Sequence, residues 1–261
     1  MQLKEFTIQR YYKWLFPIIS LYILVYFSCK ICEVNFNDFW GGFSKSCYFL
    51  AKMFPPDWGS FQEMLLPTID SLLMAILGTF FGTILSLLIA IFAAGNISNK
   101  WITSICRGLI SIERAIPELF ILLILITAFG FGAMPGVIAL MLGCVGMMGK
   151  FFADAIEDTD PVILESMRSL GANKIQALYF GIIPQIFPTI LSSALFRLEI
   201  NIRLSIILGA IGAGGIGYEL ENSFSMLQYN RALSALLIVL VMVFGIERIS
   251  NYFRNKLHKD G

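Results

Sequence analysis

Charge is scarce in this chain. Asp, Glu, Lys and Arg make up 14% of its 261 residues, against 57% hydrophobic, a balance outside the usual range for a soluble domain. The net charge is only +1 and gives no reason to expect a nucleic acid partner. Histidine is scarcer still. The single one, His258, stands in the charged tail with no nucleophile–histidine arrangement around it, so no catalytic residue is expected. Asp154, Glu157, Asp158 and Asp160 have neither a histidine companion nor EF-hand spacing. They read as a solvated acidic helix end, and no metal is expected.

Nucleotide and redox signatures are missing as well. Gly149-Lys150 resembles the end of a P-loop, but Phe151 stands where a magnesium-holding Ser or Thr is needed, and Gly143 lies six residues before Gly149 rather than five. Gly212-Ala213-Gly214-Gly215-Ile216-Gly217 matches G-x-G-x-x-G, but an apolar run precedes it and after Glu221 the next acid is Glu247. The chain is therefore not expected to be an enzyme or to bind a cofactor itself. Among the five cysteines, Cys29 and Cys32 form a C-x-x-C outside any redox context and read as packing residues. No small-x-small cleavage site follows the first apolar run, so a retained signal anchor is expected.

What the chain does have is long apolar runs, of the length a helix needs to cross ~30 Å of hydrocarbon. Six spans are expected, at about Trp14–Cys29, Thr68–Ala94, Ala115–Phe131, Pro135–Ile156, Pro184–Leu208 and Ala232–Ser250. No short alternating strands suggest a barrel, so the fold class is an all-α integral membrane protein in one domain over 1–261. The aromatics of 33–67 suit a helix lying at the membrane interface. Gly95–Glu113 reads as a short basic connection. With the amino terminus in the cytoplasm, inside segments hold thirteen Lys and Arg and outside ones hold four: Lys30, Lys45, Lys52 and Arg231. That positive-inside bias sets the expected orientation.

Two features remain after the apolar runs are assigned. The fifth span carries Arg197, Glu199, Asn201 and Arg203, and unpaired charges inside a membrane are costly. Glu199 and Arg203 are four apart and can pair along one helix face. Arg197 is then either a free guanidinium that binds an oxyanion in the translocation pathway, or a structural partner of a neighbouring helix. Both readings explain a buried charge. Pro117 fits the first turn of a helix, with Glu113, Arg114 and Glu118 around it at the interface or in a gate. Gly212, Gly214, Gly215 and Gly217 can break a helix near the outer face, or act as a gate.

The second feature is Glu165–Pro184, a polar helical stretch on the expected cytoplasmic side. Glu165-Ser166-Met167, then Gly171, then Gly181-Ile182-Ile183-Pro184 resembles the EAA loop of binding-protein-dependent ABC importer permeases. Ser166 and Met167 replace two alanines, and Gly181 replaces a more usual isoleucine. Tyr179–Gln185, Phe196–Arg203, Leu208–Gly217, Pro117-Glu118-Leu119 and Gly149-Lys150 narrow the likeness, over about 65–250, to the phosphonate permease branch. The resemblance implies a type I importer architecture of about six transmembrane helices, in which 160–184 form a coupling helix against an ATPase. Glu165, Gly171, Ile183 and Pro184 would make that contact. ATP and Mg would be bound by the partner, in two copies, beneath two copies of this chain in a bacterial cell membrane. An extracytoplasmic binding protein would deliver a phosphonate, phosphite or phosphate ester. An amino-acid or methionine permease, and a channel or secondary transporter, are the alternatives.

Overall fold

The computed structural model describes residues 2–257; His258 and Lys259 lie outside the described residues. All regular structure among the described residues is helical. The chain divides into two compact units, one ending at Phe54 and one beginning at Pro55. The first contains α1 (Gln2–Ile31) and α2 (Phe36–Met53). Within α1, Trp14–Ile31 is apolar enough to cross a membrane, and Pro17 does not interrupt it. In α2 the rings of Phe39, Trp40 and Phe43 meet edge to face, so the aromatic stretch does form a helix.

The second unit is built around two long helices, α3 (Phe61–Ala93) and α6 (Ala133–Glu157). Apolar surface gains nothing by leaving lipid, so close backbone approach has to hold such helices together. Small or slender residues recur every four positions on α3, at Met74, Gly78, Gly82, Ser86 and Ala90, and all are buried. A Cβ at Gly78 would come within 2.6 Å of the Leu140 Cβ, and one at Gly82 within 2.5 Å of the Cys144 Cβ. The hydroxyls of Thr79 and Ser86 donate to the carbonyls one turn back, at Ala75 and Gly82, so neither hydroxyl is stranded in the interface.

Between them, α4 (Lys100–Ala115) and α5 (Glu118–Phe129) run back along α6. This corrects two expectations. Gly95–Glu113 is not a short connection, because most of it lies in α4. The apolar helix of the third span is only 12 residues, about 18 Å at 1.5 Å per residue, too short to cross alone. α4 precedes it along α6, joined to α5 at the Ile116–Pro117 break. Its charges, Arg107, Glu113 and Arg114, lie towards α6, where averaged hydropathy reads them as a polar loop.

The short α7 (Pro161–Ser169) precedes α8 (Lys174–Ala213), which carries π-helical turns at Ala177–Ile182 and Gly209–Ala213. α8 meets α9 (Ile216–Ser225) at a 57° bend, and α10 (Tyr229–Leu257) closes the bundle. Among the described residues four helices are long and apolar enough to span, or five if the bent pair counts as one. Arg231 ties the end of the bundle that holds the start of α3, reaching Glu63 at 3.2 Å and Glu219 at 3.1 Å. At the other end Glu157 accepts from the Gly95 N–H and from Arg107 at 2.6 Å.

Candidate functional site

The Glu165–Pro184 stretch is a compact bracket at the α7 end of the bundle. Asp160 starts α7 by accepting from the Val162 N–H at 2.9 Å. Gly171 ends the segment at φ +80°, and the Ala172 N–H reaches back to the Met167 carbonyl, the left-handed stop that favours glycine. Asn173 and Gln176 then form a reciprocal capping box, both bonds at 2.9 Å. Ile163 and Met167 rest on Gly181, where an added Cβ would lie 3.3 and 3.4 Å from them. Glycine at this position therefore lets α7 sit close to the Ala177–Ile182 turn. Glu165 is exposed, as are Gly171 and Pro184, while Ile183 is half-buried. Leu170 is 83% and Ile175 75% exposed, so the bracket presents apolar side chains beside an acid.

Four charged and polar residues of α8 diverge rather than cluster. Arg197 has a side chain 5% exposed and donates to Glu118 of α5 at 2.8 Å. Its Nε has no partner among the described residues. Asn201 is fully buried and donates to Thr79 at 2.9 Å and to the Cys144 sulfur at 3.4 Å. Glu199 does not pair with Arg203. It accepts from Ser250 and lies 3.7 Å from Arg254, both on α10. Arg203 turns to Glu247, 3.7 Å away and half-exposed. The expected pair along one helix face is thus replaced by three contacts to α10, because that helix offers partners beside both side chains.

Of the two readings left open for Arg197, the geometry favours the structural partner. What the sequence did not reveal is that Glu118 is that partner, 79 residues away. A signal was present in α6, where Gly143, Gly146 and Gly149 recur every three residues. A Cβ at Gly143 would collide with both Arg197 and Glu118, at 2.7 Å each, and one at Gly146 with Glu113 and the Arg114 stem. Gly149 receives Ile110 of α4. One face of α6 is kept bare so that charged side chains of α4, α5 and α8 can lie on it.

Gly212, Gly214 and Gly215 have φ of +133°, +86° and +73°, and the break between α8 and α9 lies there. The Gly132 N–H donates to the Gly212 carbonyl at 3.0 Å, and the Ile216 N–H donates to the Ser71 hydroxyl at 3.0 Å. The freed backbone groups are thereby satisfied inside the protein, as a membrane demands. Gly217 lies where any side chain would strike the Ile206 carbonyl of α8, so the two helices cross at backbone contact.

This arrangement has close counterparts. The family described as "Binding-protein-dependent transport system inner membrane component" matches residues 86–259. The phosphite transport system permease protein PtxC of Stutzerimonas stutzeri is 40% identical over 205 residues, 78% of this chain and 74% of that protein. The phosphate-import permease protein PhnE of Mycolicibacterium smegmatis is 37% identical over 209 residues, 80% of this chain and 39% of that protein. In fold, the chain is similar to a permease of the inward-facing MetNI methionine ABC transporter, with a TM-score of 0.68 at 17% identity, over 77% of this chain and 99% of that one. With its family match and these relatives, the chain belongs to the inner membrane components of binding-protein-dependent transport systems, and is an ABC importer permease.

Proposed function

We propose that the chain is the membrane-spanning half of an importer for a phosphorus oxyanion (phosphonate, phosphite or a phosphate ester), driven by ATP that a separate subunit hydrolyses. The observation that carries the drive mechanism is the α7 bracket. Glu165, Leu170 and Ile175 are exposed on a turn closed by a glycine stop and a capping box, and an acid beside apolar side chains is a surface that a cleft in a partner can hold. In this reading the bracket faces the cytoplasm, in line with the distribution of Lys and Arg, and seats in a cleft of the ATPase through Glu165, Gly171, Ile183 and Pro184. The cargo class rests on the phosphite and phosphate permeases among the relatives.

Motion of the ATPase would reach the pathway through α8. α7 bears on Gly181, and α8 continues unbroken from there to Arg197 and Asn201, which hold α3, α5 and α6. Lys174 ties the start of α8 to the Ile97 carbonyl at 3.2 Å, so the bracket and the end of α3 move together. The glycine break at Gly212, Gly214, Gly215 and Gly217 would serve as the hinge or gate at the opposite end. Two copies would enclose the pathway, and an extracytoplasmic binding protein would load it. ATP supplies the difference in free energy between inward and outward states, which the cargo alone cannot.

The test is co-expression with the ATPase and binding-protein genes of the same locus, reconstitution, and measurement of ATP hydrolysis and uptake of phosphonate, phosphite, phosphate esters and methionine. ATP-dependent uptake of a phosphorus oxyanion is the expected result. ATP-independent transport with no co-purifying ATPase would end the reading, and uptake of methionine alone would replace the cargo.

A further inference from the structure

Between α4 and α6, on the α7 side of the buried Glu118–Arg197 pair, lies a cavity of about 140 Å³. Its floor is apolar, made by Ile110 and Ala153, and its walls carry Ser111 and Arg114 of α4 and Lys150 and Asp154 of α6. Arg107 closes the end nearest α7 and is already engaged with Glu157. Arg114 and Lys150 make no ion pair within 4 Å among the described residues. Two cations thus line one cavity with a single carboxylate, Asp154.

The placement is built by the fold. The Arg114 stem crosses α6 at Gly146, where a Cβ would come within 2.6 Å of its Cγ. Any larger residue there would push the guanidinium out of the site. Ser111 and Arg114 are three apart and share a face of α4, and Lys150 and Asp154 are four apart and share a face of α6. Along α6, Gly146 lies eleven residues before Glu157, or about 16 Å. The cavity itself opens nearer that end, since Lys150 lies seven residues before Glu157, or about 10 Å.

The mix of groups defines a ligand. A guanidinium fork and an ammonium hold a tetrahedral oxyanion. A carboxylate in the same cavity repels a fully deprotonated one, but accepts a hydrogen bond from an acidic P–OH. A phosphomonoester, with its second pKa near 6, is mostly dianionic at neutral pH but still carries that proton on a fraction of its molecules, and a carboxylate partner can select that form; sulfate has none to donate.

Resting on the cargo reading above, we propose that Ser111, Arg114, Lys150 and Asp154 form a release-side binding site for a partly protonated phosphorus oxyanion, in which Asp154 discriminates against sulfate. The cargo would pass from the binding protein's side to this site before leaving at the α7 end.

The experiment uses the assembled importer in phosphatidylcholine nanodiscs, with inorganic phosphate as the probe read by phosphorus-31 line broadening, and proteoliposomes for uptake. R114Q and K150Q are expected each to weaken phosphate binding and slow uptake about tenfold, the scale of one charge-assisted hydrogen bond. R114K is expected to recover only part of the loss, since it lacks the fork. D154N is expected to let sulfate compete with phosphate where the unmutated importer resists it. Co-purification of the ATPase checks that each variant is folded. Unaltered phosphate binding and uptake in R114Q and K150Q would sink this site while leaving the importer intact. Displacement of phosphate by added phosphatidylglycerol, with loss of that lipid from R114Q, would assign the site to a lipid headgroup and overturn the cargo role. Failure of the unmutated importer to carry any phosphorus oxyanion is a different result, and it would remove the cargo reading itself.

Discussion

Arg197 and Glu118 test how this protein tolerates charge at membrane depth. Removing one member leaves the other uncompensated, and Arg197 is the more buried of the two. Glu118→Gln is expected to destabilise the fold by about 3 kcal/mol, read as a lower melting temperature of the purified chain. Removing both charges, as in Glu118→Gln with Arg197→Met, is expected to return most of that loss. Such non-additivity marks direct coupling. Equal and additive losses would show that the two groups do not act as a pair. The sequence made Arg197 conspicuous because a lone guanidinium in an apolar run is costly. It could not name Glu118, since the nearest candidate in the sequence is Glu199, and pairing across helices depends on how they cross. Glu199 and Arg203 show the same limit. Spacing allowed their bond, but partners on α10 took both side chains.

At the scale of elements, glycines decide which helices can meet. Gly82→Val places branched carbon against the Cys144 side chain and is expected to cost about 2–3 kcal/mol through overpacking between α3 and α6. Gly245→Ala on α10 meets nothing within 4 Å and is expected to be neutral in the same thermal measurement. If both changes behave alike, the close approach of α3 and α6 contributes nothing. Gly215→Ala combines a left-handed backbone at φ +73° with a clash against the Ser71 hydroxyl. It should loosen the α8–α9 bend, which faster proteolysis or hydrogen exchange at Ile216 would report. The glycine run reads as a helix break from sequence alone because no other residue adopts a positive φ cheaply. The α4–α5 pair was not readable, since α4 carries Arg107, Glu113 and Arg114 and the apolar run of α5 stops after 12 residues.

For the whole molecule, the decisive variant is Glu165→Ala. It touches no buried partner, so the chain should insert and fold normally. ATP-driven uptake by the assembled importer is expected to fall at least tenfold, or the ATPase to stop co-purifying; normal uptake with normal assembly would refute a coupling role. That expectation could be drawn from the sequence because the motif is local. A helix, a glycine stop and a second helix lie within twenty residues, and the capping chemistry of each is written in adjacent side chains. By itself the sequence also determined the membrane environment and the all-helical class, since hydrocarbon admits apolar runs and forces their backbones to bond internally. Only the tertiary structure decided which charges neutralise one another, which face of α6 stays bare, and where Arg114 and Lys150 converge. Those outcomes depend on distances between residues far apart in the chain, set by the depth and angle at which packed helices cross, and no local pattern carries that information.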